Sequence, residues 1–168
     1  MEKHTLRIAF TGPESTGKST LANWLSSFLS IPLAPEFARA YLEKTPNYEF
    51  EDLTKITKGQ LALWPEGNLV ADTELHVIQI WSEEKFSQID PIILIALQQQ
   101  KFDHYFLCAP DIPWEEDPLR ENPLDRDRLF ESYRKELIAY QRPFTVLAGD
   151  LQSRQELIKV TISSLWNR

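Results

Sequence analysis

Gly12-Pro13-Glu14-Ser15-Thr16-Gly17-Lys18-Ser19 constrains this chain more than any other stretch. It fits G-x-x-x-x-G-K-[ST], the P-loop pattern. Residues 5–10 precede it as an apolar strand. Residues 20–29 follow it with Leu21, Leu25, Phe28 and Leu29 at helical spacing. Strand, loop and helix form the context that the motif needs. A phosphate must be met by many donors at once. Loop amides and the helix amino end supply them, and glycine lets the backbone come close. Gly12, Glu14, Ser15, Thr16, Gly17, Lys18, Ser19 and Thr20 are therefore expected to bind ATP. Lys18 bridges the outer phosphates as a point charge, and Ser19 coordinates the Mg2+ that accompanies them.

The chain has 168 residues, which suits a single P-loop domain over 1–168. The net charge is −7, against the basic surface that a nucleic-acid binder uses. No apolar run approaches the length of a membrane span. Cys108 is the only cysteine, which excludes an internal disulfide and suits a cytoplasmic setting. His4, His76 and His104 are scattered without metal-ligand spacing.

Strand-like and helix-like stretches alternate down the chain. Strands are expected at 31–34, 69–71, 104–109 and 144–148, after the first at 5–10. Asp52, Asp90, Asp125 and a Ser153–Glu156 capping box are expected to open helices. The pattern predicts an α/β P-loop fold: a parallel five-stranded sheet with helices on both faces and a short arginine-bearing lid. Ligands then sit at the carboxyl ends of the strands, where the polar clusters fall.

Asp72 closes an apolar strand, where such folds place an acid that holds Mg2+. Glu36 and Arg39 follow the second strand, one helical turn apart. They serve a substrate hydroxyl and a phosphate, or form a surface ion pair. Either Asp72 or Glu36 could take the hydroxyl proton. The loop at 110–123 carries Asp111, Trp114, Glu115, Asp117 and Arg120, with Arg126 and Arg128 just beyond. Arginines on a flap can stabilise a transferring phosphoryl group, and Arg128 is the one best read as surface. Trp114 is either a stacking surface for a substrate ring or a pin for the loop. Asp150 and Arg154 are weaker adenine-side candidates.

Residues 12–21, Glu36-Phe-Ala-Arg-Ala-Tyr-Leu42, Ala71-Asp-Thr-Glu74 and Leu107-Cys-Ala-Pro-Asp-Ile-Pro-Trp-Glu115 resemble the ribosylnicotinamide kinase domain of the bacterial bifunctional NAD-biosynthesis regulator family. Asp117-Pro-Leu-Arg120 and Arg126 resemble that family's flap. The resemblance implies a nucleoside-kinase-like fold, ATP and Mg2+ as co-substrates, and nicotinamide riboside as acceptor. By position Lys18 and Ser19 match that family's P-loop lysine and metal ligand, Asp72 its strand-end acid, also expected to hold the metal, and Arg120 and Arg126 its flap arginines. With Glu36 from the reading above, Lys18, Asp72, Arg120 and Arg126 are the expected catalytic residues. By the resemblance Trp114 falls in the segment expected to line the nicotinamide pocket; with Glu36, Arg39, Asp72 and Asp111 it makes up the expected substrate side. Two departures stand out: Pro118 replaces an expected glycine, and the stretch around Trp64-Pro65, expected near the acceptor pocket, is short. No adenylyltransferase domain is expected before the P-loop. A kinase for another nucleoside or nucleotide, or an ATP-dependent switch module, remain the alternatives.

Overall fold

Strands that are apolar on both faces can be buried only between two layers of helices. The computed structural model describes residues 5–167 and has that arrangement. Its elements run β1 (Arg7–Thr11), α1 (Lys18–Leu29), β2 (Leu33–Ala34), α2 (Phe37–Lys44), α3 (Phe50–Ala62), β3 (Leu69–Asp72) and α4 (Leu75–Phe86). They continue as α5 (Pro91–Gln99), β4 (His104–Cys108), α6 (Arg126–Ala139), β5 (Phe144–Leu147) and α7 (Leu151–Trp166). The five strands pair in parallel in the order β2-β3-β1-β4-β5.

Side chains alternate across the sheet, so each face has its own core. Ile8, Phe10, Val70, Phe106 and Cys108 meet Leu21 and Leu25 of α1 and Ile158 and Ile162 of α7. Ala9, Ala71, Tyr105 and Leu107 meet Ile80 of α4 and Leu129, Tyr133 and Leu137 of α6. Leu21 and Leu25 are fully enclosed. Each is worth about 1.5–3 kcal/mol by burial, and together they seat the helix that follows the P-loop. A third cluster packs α2, α3 and α5 onto the outer side of α4 through Leu42, Leu53, Ile56, Ile78, Ile93 and Leu97. It forms a helical shoulder beside the rim. Gly59 has to lack a side chain there, because a Cβ would stand 2.2 Å from the Phe37 ring.

Several boundaries differ from the sequence reading. Asp52 is the third residue of α3, and its carboxylate accepts the Glu49 N–H at 2.7 Å from inside the helix. The terminal helix opens at Asp150, which accepts the Ser153 N–H at 2.8 Å. Ser153 is thus inside the first turn and donates to the cap residue instead of being it. Asp125 precedes α6 without a side-chain cap bond. Asp90 with Pro91 opens α5 as expected.

Candidate active site

The P-loop connects β1 to α1 at the carboxyl edge of the sheet. Gly12 has φ +127°, and a Cβ there would lie 2.8 Å from the Cys108 carbonyl oxygen of β4. Gly17, at φ +88°, turns the chain into α1. The loop's carbonyls are held from the sides and behind. Lys18 Nζ donates to Gly12 O (2.8 Å) and Pro13 O (2.6 Å). Thr16 Oγ1 also donates to Pro13 O, Arg126 to Ser15 O and Arg154 to Thr16 O, each at 2.8 Å. Carbonyls satisfied in this way leave the amides and the amino end of α1 to receive an anion.

Asp72 ends β3 and accepts the Ser19 hydroxyl proton through Oδ2 at 2.6 Å. Its Oδ1 is buried without a hydrogen-bond partner. An unpaired buried carboxylate oxygen beside a P-loop hydroxyl fits a magnesium ion. Among the described residues no cluster of three His, Cys, Asp or Glu forms a cation site. The protein thus offers one carboxylate and one hydroxyl, the kind of partial set Mg2+ completes with phosphate and water oxygens. Thr73 follows at φ +83°, a left-handed conformation that is strained for a threonine.

Glu74, the next residue, is fully buried. Its carboxylate accepts from Thr11 Oγ1 (2.6 Å), the His76 N–H (2.7 Å) and Gln100 Nε2 (2.8 Å). It therefore ties the start of the P-loop to the Asp72 turn.

A cavity of about 560 Å³ runs from the P-loop along α2, α4 and α6. Residues 12–20 line one end. Leu42, Val77, Ile80, Trp81, Leu129 and Tyr133 line an apolar, aromatic compartment. Glu36 lines it too, as do Arg39 and Arg120. Burial pushes the Glu36 carboxyl up, and repulsion from Asp72 adds to this while Lys18 opposes it. Burial also raises Asp72, against its bond from Ser19 and the charge of Lys18.

Residues 110–125 form a flap strapped across the P-loop. The Glu115 N–H donates to Ser15 Oγ at 2.8 Å. Glu14 Oε2 accepts the N–H groups of Glu121 and Asn122 at 3.1 and 3.2 Å. Arg39 pairs with flap residue Asp117 at 2.9 Å, not with Glu36.

Other expected site residues are placed differently. Asp111 lies outside the cavity wall. It pairs with Arg154 and accepts the Gly149 N–H at 2.6 Å. Arg154 is 2% exposed and binds the Gly149, Thr16 and Ala109 carbonyls, so it braces the loop and has no face left for adenine. Trp114 also stays out of the cavity wall. The Arg126 guanidinium lies 5.7 Å from its ring. Arg126 itself is held by the Ser15 and Ile112 carbonyls and does not line the cavity. Arg128 forms a two-pronged pair with Glu84 (2.8 and 2.7 Å), as a surface residue would. Trp64 packs on Phe102, and Arg7 holds the Pro65 and Gly67 carbonyls. That turn is therefore at the amino ends of the strands, away from the cavity. His76 and His104 are buried against Gln79 and Thr145, and His4 lies outside the described residues.

Trp81 and Tyr133 were not singled out from sequence. Both occupy apolar helix faces, which read as core. The acids and lysine at 83–85 beside Trp81 were the available hint.

This fold and rim define a P-loop α/β protein of the nucleoside-kinase-like architecture. A family model described as an AAA domain matches residues 7–154, and the chain belongs to that family. It is 27% identical over 132 residues to the trifunctional NAD biosynthesis/regulator protein NadR of Escherichia coli (strain K12). NadR of Salmonella typhimurium matches equally over the same length. The match covers 72% of this chain and 32% of either relative, so the chain spans about a third of their length. A NadR crystal structure in complex with NR superposes with a TM-score of 0.73 at 19% identity, over 94% of this chain and 50% of that one. Deoxyadenosine kinase from M. mycoides with bound dATP gives 0.64 at 17%, over 95% and 100%. Among the described residues, no helix is long and apolar enough to cross a membrane.

Proposed function

We propose that this chain is an ATP-dependent nucleoside kinase that phosphorylates the 5′-hydroxyl of nicotinamide riboside to give nicotinamide mononucleotide. One observation carries the reading. A single cavity joins the P-loop to an aromatic compartment, and Glu36 lines it within the field of Lys18 and Asp72. A switch module would need no second compartment. The relatedness to NadR and the NR-bound neighbour support this acceptor.

Phosphates rest on the loop amides, with Lys18 released from its carbonyls to meet them. Ser19 and Asp72 would hold Mg2+, which neutralises phosphate charge when bound. Asp72 Oδ2 is committed to Ser19 and its Oδ1 is left for the metal, so the base is assigned to Glu36. It accepts the 5′-hydroxyl proton as the O5′–P bond forms and the bond to the ADP leaving oxygen breaks. A raised carboxyl pKa makes a better proton acceptor for that task. Arg120 faces the cavity and is the flap cation available to the moving charge. Trp81 and Tyr133 offer faces to a pyridinium ring, and the nearby Glu14, Glu36 and Glu121 suit its positive charge. Function in the cytoplasm fits the single buried thiol.

An acceptor panel with ATP and Mg2+, read by mass of the product, tests the proposal. Formation of nicotinamide mononucleotide is expected. Turnover of deoxynucleosides alone would replace the acceptor, and ATP hydrolysis without a phosphorylated product would favour a switch.

A further inference from the structure

The aromatic wall and the P-loop are joined by a continuous chain of hydrogen bonds that phosphoryl transfer does not itself require. Trp81 lines the cavity, and its indole N–H donates to the Tyr48 hydroxyl at 2.6 Å. The two rings meet edge to face with centroids 4.9 Å apart. Tyr48 is buried and does not line the cavity. Its hydroxyl donates to the Glu121 carboxylate, 3.0 and 3.2 Å from the two oxygens. Lys85 Nζ donates to the same carboxylate at 3.1 Å and lies 3.7 Å over the Tyr48 ring. Glu121 belongs to the flap, and its backbone N–H and that of Asn122 converge on Glu14 of the P-loop.

Each link is directional. The Tyr48 hydroxyl has one proton, and Glu121 takes it. The oxygen's remaining acceptor capacity takes the Trp81 N–H. A displaced Trp81 therefore loosens Tyr48, and Tyr48 then loses its hold on Glu121. Lys85 and Glu121 are both well exposed, so their ion pair alone fixes the flap weakly. The buried hydroxyl is the stronger anchor. At the far end, Glu14 Oε2 takes both flap amides, and Glu14 sits among the residues whose backbone forms the phosphate nest.

We propose that Glu121 is a positioning residue that transmits the state of the aromatic wall to the P-loop through Tyr48 and Glu14. Its role in synchronising acceptor and nucleotide rests on the kinase reading above. The bonded chain itself is testable with nucleotide alone. Nucleotide is held tightly when Trp81 and Tyr48 are seated and loosely when they are not. Tyr48 touches neither the loop nor the cavity wall, and Glu121 is the partner that links it to Glu14 of the P-loop.

The test is a double-mutant cycle on Mg–AMP-PNP affinity, measured by calorimetry with Tyr48→Phe, Glu14→Ala and the pair. Tyr48→Phe is expected to weaken binding about three- to fivefold, the worth of one hydrogen bond. In the Glu14→Ala background the same change is expected to do nothing. Glu121→Ala should reproduce Tyr48→Phe, and Glu121→Gln, which still accepts from the hydroxyl, should restore affinity. Because Glu121 is on the flap, its variants keep the test valid if Tyr48→Phe folds poorly. Equal effects of Tyr48→Phe in both backgrounds would overturn the proposal, as would unchanged affinity in Tyr48→Phe and Glu121→Ala. A wild type that binds Mg–AMP-PNP but fails to phosphorylate nicotinamide riboside would count against the acceptor assignment, and the cycle would still be read.

Discussion

Replacing Lys18 by alanine separates what the residue does for the fold from what it does for phosphates. Its ammonium bonds the Gly12 and Pro13 carbonyls, both of residues that line an open cavity. Water reaches those oxygens once the side chain is gone. Thr16 Oγ1 still serves Pro13. The net cost is therefore about 1 kcal/mol, not the sum of two charged bonds. For a chain of 168 residues that lowers Tm by about 2–4 °C. Under the proposed reading the same ammonium faces charge that develops on the transferring group. Loss of one such donor costs about 10²–10³ in kcat. Lys18→Ala is thus expected to melt within a few degrees of wild type by calorimetry and to lose at least that factor in coupled ADP release. Lys18→Arg should recover little, since a planar fork cannot replace a point charge seated between two carbonyls. A Tm drop beyond 10 °C would make Lys18 a structural residue, and unchanged turnover would remove it from the site.

Three further outcomes follow from the geometry. Glu36→Gln should lower kcat by about 10²–10⁴ yet raise Tm at pH 8. Burial lifts the folded-state pKa of Glu36, so its charged form costs stability above the unfolded value of 4.5, and the Tm gain should vanish as pH falls through that range; a Tm gain that persists at pH 4 contradicts this. Trp81→Leu should raise the acceptor KM about tenfold and the ATP KM no more than about threefold, and equal rises would deny Trp81 the acceptor wall. Gly12→Ala should cost at least ~2 kcal/mol, because a Cβ meets the Cys108 carbonyl oxygen at φ +127°; a Tm within a degree of wild type would show that the loop relaxes freely.

The parallel sheet was legible because its strands are short, apolar on both faces and punctuated by glycine and proline. The P-loop was legible because its physics needs particular residues at particular spacings. Helix starts were less so: Asp52 and Ser153 have cap chemistry, but Glu49 and Asp150 occupy the cap positions. The acceptor side was least legible. Trp114 looked available because it interrupts no periodic pattern, whereas Trp81 was hidden within one. Glu74 was invisible for a related reason. A carboxylate two residues past a strand reads as surface, and only the tertiary fold brings Thr11 and Gln100 around it.

The cation inventory carries the site argument one step further. Four arginines crowd the P-loop and flap, yet most of their donors are already committed. Arg154 braces Thr16 and Ala109 from behind, Arg126 holds Ser15, and Arg128 is paired with Glu84. Of these four, Arg120 is the one on the cavity wall, and it donates to Glu115 O at 2.6 Å. Arg39 lines the wall but answers Asp117. On the same wall Lys18, Arg39, Lys85 and Arg120 face Glu14, Glu36, Glu84, Glu115 and Glu121, with Asp72 one bond behind it. Such a wall has little net positive charge beyond the P-loop amides themselves. Under the proposed reading, a divalent ion at Ser19 and Asp72 must therefore supply charge that flap arginines provide in a more basic site. Transfer should consequently depend steeply on free Mg2+, and Arg126→Ala should act on loop order more than on the chemical step.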